Sequence, residues 1–322
     1  MGKLCTRRRN AVALITVGMT NVPHIFDRIL HARRLDRAAA GFTAAAFLKA
    51  RSSEDLVDRI ALVNRRFPIA VDLGARTGVL ARALNSGPAR DQIDWLVQAD
   101  LSAAMLGGAQ GARLVIDEER LPFGEGRVDL IVSSLALHWV NDLIGALIQI
   151  RRALKPDGLF LGALLGGATL TELRQSLLAA EVEVRGGAGP RVAPFADSAD
   201  AAALMQRAGF ALPVIDTDTV TVRYQHPLKL LADLRAMGET SALFDRPPLP
   251  LTRGILRRAA EIYVERFAGA DGRIAATFEI ITLTGWAPHP DQPRALRPGS
   301  AKMRLADALG AVERPAGETA RP

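Results

Sequence analysis

Apolar residues recur in two rhythms along this chain, and the change between them outlines the fold. Residues 23–66 carry a helical rhythm: Ile25, Phe26, Ile29 and Leu30 share one face, and Leu56, Val57, Ile60, Ala61 and Val63 another. Phe67-Pro68-Ile69-Ala70-Val71-Asp72-Leu73 is a short apolar run ending at an acid and Gly74, and Val79, Leu80, Ala83 and Leu84 then resume the helical spacing. Strand, glycine loop and helix in that order open a nucleotide-binding βαβ unit. Alternation continues with strands expected at 93–100, 113–116, 128–134 and 159–164. Between them lie a helix at 103–109 capped by Ser102 and one at 143–154 capped by Asp142, which Lys155-Pro156-Asp157-Gly158 stops. Strands alternating with helices predict a doubly wound, mostly parallel α/β sheet of Rossmann-like type.

The rhythm changes after residue 165. A helix is expected over 170–184, with Leu173, Leu177, Leu178 and Ala180 facing inward and Gly186–Pro190 ending it. Further helices are expected at 198–208, 228–237 and 252–267, and strands at 214–224 and 275–283. The organisation expected is a tail at 1–22 and one domain at 23–286, followed by a Pro/Arg-rich, disordered tail at 287–322. Within the domain, a helical cap spans 23–66, a nucleotide-binding core 67–165, and a helical, substrate-facing insertion with the final strands 166–286. The first 18 residues join Arg7-Arg8-Arg9 to a seven-residue apolar run, and the simplest expectation is a mis-called start with the true beginning at Met19.

Charge and cysteine usage narrow the chemistry. The net charge is +7, but the arginines are scattered, so no nucleic-acid partner is expected. Cys5 is the single cysteine, so neither an internal disulfide nor a cysteine-ligated zinc or iron–sulfur site can form within one chain. This fits a reducing compartment, and the location expected is cytoplasmic, peripheral at the inner membrane. The histidines show no metal-ligand spacing apart from His289-Pro290-Asp291 in the tail, and no metal site is expected.

In an open parallel sheet, ligands bind at the carboxyl ends of the strands. Asp72–Gly78, Asp100, Asp117 and Ser133–Trp139 all end there. Asp100 can accept two ribose hydroxyls, Asp117 can accept from an adenine amino group, and Trp139 or Leu101 can stack on the base. His138 is the one catalytic candidate, with a merely packed histidine as the alternative.

Asp72-x-Gly74-x-x-x-Gly78 resembles the first motif of class I S-adenosylmethionine (SAM) methyltransferases, with Arg76 at that motif's middle glycine. Asp117–Phe123, Val128–Val132 and Arg152–Gly158 resemble the type 11 methyltransferase domain. A narrower resemblance runs from about His24 to Ala301, through Ser133–Asp142, Gly166–Arg174, Arg191–Phe195, Arg207–Phe210, Met237-Gly238-Glu239 and Gly285-Trp286. It is to the complex I assembly factor 5 family, whose animal member is described as a protein-arginine hydroxylase. The malonyl-carrier-protein O-methyltransferases are similar more loosely. These resemblances imply SAM as cofactor, held by Asp72, Gly74, Gly78, Asp100, Leu101, Asp117, Glu118 and Ser133. They also imply a protein substrate, a subunit of respiratory complex I, whose arginine is hydroxylated or methylated. Two alternatives stay open: an O-methyltransferase acting on a carrier protein or small molecule, and a non-catalytic assembly scaffold. Arg76 is expected either to leave the pocket or to pair with the cofactor's carboxylate.

Overall fold

The computed structural model describes residues 24–292, 300 and 303–312. The expected tail at 1–22 lies outside the described residues, as does most of 293–322. The chain divides into two units, residues 1–288 and 289–322. In the second, Leu305–Leu309 forms a short helix.

The first unit is built on seven strands: β1 (Phe67–Leu73), β2 (Ile93–Asp100), β3 (Ala112–Val115), β4 (Val128–Ser134), β5 (Leu154–Leu165), β6 (Ala211–Tyr224) and β7 (Ile274–Trp286). Their order across the sheet is β3-β2-β1-β4-β5-β7-β6, parallel from β3 to β5, with β7 antiparallel to both of its neighbours. The order reverses at β1, so a crevice opens between β1 and β4 at their carboxyl ends.

The side-chain period of two divides the central strands between two cores. Ala70, Leu130, Val132 and Leu161 face one side, and Val71, Ile131, Phe160 and Leu164 the other. The first side is covered by α3 (Phe47–Ala61), α4 (Val79–Ser86), α7 (Thr171–Arg185), α9 (Pro227–Ala236) and α10 (Arg253–Phe267). The second is covered by α6 (Leu143–Ala153) and α8 (Ser198–Arg207). The cap also contains α1 (Arg28–Ala38) and α2 (Phe42–Ala45), and α5 (Ala103–Leu106) follows β2. Leu35, Ala38, Phe42 and Ala46 of the cap pack with Val79 and Met105, closing it over the glycine loop.

Three expectations need correction. The β2–β3 helix is only Ala103–Leu106: Ser102 caps it as foreseen, accepting from the Met105 amide at 3.0 Å, but Gly107 and Gly108 end it. The helix before Lys155–Gly158 ends at Ala153, but the fifth strand starts earlier than the expected 159: β5 begins at Leu154, pairs there with Val128 and absorbs a register shift before resuming at Leu159. Leu178 points outward, 54% exposed, while Leu173, Leu177 and Ala180 make the buried face of α7. Neighbouring leucines on a helix are about 100° apart, so the stripe that buries Leu177 turns Leu178 to solvent.

Candidate functional site

The loop after β1 needs glycine at two places. Gly74 (φ +81°) and Gly78 (φ +78°) are both left-handed, and a Cβ on Gly74 would lie 2.2 Å from that of Ala136. Arg76 between them is also left-handed, at φ 53°, which strains a residue with a side chain. Its side chain is only 2% exposed and crosses to β2, where both its backbone N–H and Nη1 donate to Asp100 Oδ2, at 2.8 and 2.9 Å. Asp100 Oδ1 accepts from the Ser102 amide at 2.8 Å. The carboxylate expected to receive a ribose is therefore held by the chain's own guanidinium. Nη2 of Arg76 is buried without a hydrogen-bond partner.

A second cation, not recognised in the sequence, lies beneath the loop. Lys49 of α3 is buried and donates from Nζ to the carbonyls of Gly74 (2.8 Å) and Ser134 (2.5 Å), joining the loop to the end of β4. Asp72 is fully buried, and neither of its carboxylate oxygens has a hydrogen-bond partner among the described residues. Burial pushes its carboxyl up to about 7, against the pull of Lys49, and pushes the Lys49 ammonium down to about 8. Between the ordinary 3.8 and about 7, folded Asp72 keeps a proton that the unfolded chain has released. The folded state then binds more protons, so this contribution to stability falls as pH rises through the window and levels off above it. Asp72→Asn should remove that part of the slope, which denaturant unfolding across the same range would measure.

The third acidic segment is also closed from within. Arg28, at the start of α1, pairs with Asp117 at 2.7 Å and with Glu118, and donates to the Trp139 carbonyl at 3.1 Å. Glu118 is nearly inaccessible, and burial raises its carboxyl despite Arg28. Asp117 keeps 34% of its side chain exposed, so it is the more accessible of the two. Asn141 ties the same region to the cap, with Oδ1 accepting from the Phe26 amide at 2.7 Å and Nδ2 donating to Glu119 at 3.0 Å.

Other expected contacts are used structurally. Ser133 Oγ donates to the Leu73 carbonyl at 2.9 Å, linking β4 to β1. Leu101 packs against the apolar cap cluster. Trp139 does not offer an open face: His31 stacks on it at 4.5 Å, Phe26 meets its edge at 5.2 Å, and it is 2% exposed. Burial first, then the Arg76 and Arg28 charges, hold His31 well below its usual range, so it stacks as the neutral ring. His138 Nε2 lies 3.1 Å from Glu239 Oε2, which also accepts from Trp139 Nε1 at 2.7 Å. Burial pushes the Glu239 carboxyl up, but His138, Arg76 and Trp139 outweigh it and leave the group below its usual range, a carboxylate at neutral pH.

Beside the loop, a cavity of about 990 Å³ runs between the cap, α7, α9 and the strand ends, with Lys49, Arg76, Trp139 and Glu239 in its wall. This is at the upper end of the roughly 300–1,000 Å³ common for ligand sites. His289-Pro290-Asp291 is a local turn in which His289 Nδ1 accepts from the Asp291 amide at 3.2 Å. Among the described residues, no three His, Cys, Asp or Glu side chains cluster as metal ligands.

The methyltransferase domain model matches residues 71–162, the span from β1 into β5. The human protein named arginine-hydroxylase NDUFAF5, mitochondrial, is 40% identical over 296 residues, covering 90% of this chain and 84% of that one. The chain belongs to the NDUFAF5 family. It is thus an enzyme-superfamily member with a methyltransferase fold. The malonyl-[acyl-carrier protein] O-methyltransferase of a Methylovorus strain is 30% identical over 309 residues, covering 92% of this chain and 97% of that one. Among solved structures, a Haemonchus contortus phosphoethanolamine N-methyltransferase in complex with SAM superposes with TM-score 0.51 at 15% identity, covering 80% of this chain and 60% of that one. The last likeness speaks for the fold alone. The family also corrects the expected cytoplasmic location, because the NDUFAF5 relatives are named mitochondrial.

The residues fit SAM in kind. Asp72 is a buried carboxylate with unfilled acceptor positions, Asp100 and Asp117 follow in order along the strand ends, and the glycine loop admits close approach of a ligand. Access to Asp100 depends on where the Arg76 guanidinium lies.

Proposed function

We propose that this NDUFAF5-family chain binds SAM at the β1–β2–β3 strand ends and modifies an arginine of a respiratory complex I subunit. The observation that carries the cofactor assignment is Asp72, buried with both oxygens unpaired at the start of a glycine loop, next to β2, the strand that ends at Asp100. Asp100 would hold the ribose once Arg76 turns aside, Asp117 would accept from the adenine amino group, and Gly74 and Gly78 would let the backbone approach. SAM supplies an electrophilic methyl group when bound. Lys49 fixes the loop from beneath, and the cap helices α1–α3 exclude water from the crevice.

Hydroxylation of the arginine follows the name of the relatives; it would need an external oxygen source such as dioxygen with a two-electron reductant, because SAM carries only the methyl group. Methyl transfer is the second reading, favoured by the match of the acid series to a SAM site. In that case the methyl group that bound SAM would supply would end on a guanidino nitrogen of the target, which would give up one proton. Glu239, a carboxylate at the inner end of the cavity, is the residue suited to hold the guanidinium in either chemistry. The test of the cofactor assignment is calorimetric titration with SAM. Wild type should bind, and Asp100→Ala should lose at least about tenfold, since each charge-assisted hydrogen bond is worth roughly 1.5–3 kcal/mol. Equal affinities would remove Asp100 from the site.

A further inference from the structure

The charge in the large cavity is unevenly divided. Among the described residues, Glu239 is the only carboxylate in its wall, and every other charged group lining it is a cation. Lys49 and Arg76 are buried at its inner end, beside Glu239. Arg34, Arg37, Arg235 and Arg246 line it from half-buried or exposed positions, so they mark the mouth. These four lack strong pairing. Arg34 Nη1 donates to the Thr240 carbonyl at 2.6 Å, and Arg246 reaches Asp27 only at 3.3 Å, while no carboxylate among the described residues pairs with Arg37 or Arg235. The crowding is felt within the group: burial, then the Arg37 and Arg246 charges, push the Arg34 guanidinium down. The walls between mouth and floor are apolar, including Leu173, Leu177, Phe195 and Leu234.

A lone arginine is a poor occupant of such a mouth, because four like charges repel it on the way in. An arginine carried in an acidic segment is a good one. We propose that the cavity selects a target arginine flanked by acidic and apolar residues in its protein substrate. The target guanidinium docks on Glu239, the flanking carboxylates dock on Arg34, Arg37, Arg235 and Arg246, and the apolar flanks fill the walls. Glu239 suits the inner role because only Oε2 is committed, to His138 and Trp139, leaving Oε1 for the incoming donor. Guanidinium and carboxylate match in geometry at both ends of the cavity. This inference rests on reading the cavity as the substrate site of the proposed enzyme.

The test uses the full chain and three fluorescently labelled peptides, each with one central arginine between leucines, flanked by aspartates, by serines or by lysines. Binding is followed by anisotropy at low and high salt. The aspartate peptide should bind at least tenfold tighter than the serine peptide and lose that advantage in high salt, and the lysine peptide should bind weakest. The surface double variant Arg37→Glu/Arg235→Glu should reverse the order, preferring the lysine peptide. Glu239→Gln should weaken the peptides that contain the central arginine but not versions with citrulline in its place. No binding of the aspartate peptide, equal binding of all three, or an order unchanged by the charge reversal would each overturn the proposal. SAM titrations on the same samples separate the two claims. If wild type shows the peptide order without binding SAM, the cofactor reading fails and this one stands. If it binds SAM without the peptide order, the reverse holds.

Discussion

Arg76→Gly should unfold more readily than the parent chain without SAM, and should bind SAM about tenfold more tightly. The two effects share one cause. Arg76 and Asp100 form an ion pair almost closed to solvent, with side chains 2% and 0% exposed. Removing one partner of such a pair costs about 3–5 kcal/mol, because the other charge stays buried. Glycine recovers roughly 1–2 kcal/mol of this by relieving the left-handed backbone at residue 76. A net loss of about 1–4 kcal/mol should appear in denaturant unfolding. The same change frees both oxygens of Asp100 for a ribose, and tenfold in affinity is ~1.4 kcal/mol, near the lower value of a charge-assisted hydrogen bond. Weaker SAM binding by the glycine variant would mean that the guanidinium holds the ligand's carboxylate instead of competing for Asp100.

Arg28→Met should be the second severe change. It strips Glu118 of its partner in a site where that carboxylate is 3% exposed, and removes the link from α1 to the Trp139 carbonyl. The expected cost is again about 3–5 kcal/mol. Because Arg28 opens α1, the loss should be local as well as global, with the amides of residues 28–38 exchanging faster than those of β1 and β4. Adding Glu118→Gln should restore part of the stability, since the orphaned charge is then gone. Strictly additive single-variant costs would show that the two side chains are not coupled.

The strand–helix alternation was legible because a parallel sheet covered on both faces needs apolar strands and regular crossovers. Asp72, Gly74, Gly78, Asp100 and Asp117 could be placed at one end of the sheet from their positions after strands. Their partners could not. Arg28, Lys49 and Glu239 come from the cap and from the segment after α9, 72, 51 and 139 residues away from Asp100, and no local period marks them. Lys49 left one trace, a lysine on an otherwise apolar stretch, Phe47-Leu48-Lys49-Ala50, in a chain with few lysines. Trp139 was open to misreading because a tryptophan that stacks on a base and one that stacks on His31 have the same local sequence. Leu178 was misplaced because a two-leucine step cannot show which member faces the core. The role of Arg76 was visible only as a departure from a glycine motif, and its pairing with Asp100 required the loop to be folded against β2.

The central claim is that this chain modifies an arginine of a complex I subunit. The most direct test is to isolate that subunit from cells with and without this gene and compare arginine-containing peptides by mass. A gene-dependent gain of one oxygen is expected on one arginine, lying in an acidic stretch, with a gain of one methylene marking methyl transfer instead. An identical peptide mass in both cells, with complex I assembly still lost on deletion, would contradict it and leave the chain a scaffold that has kept an enzyme's fold.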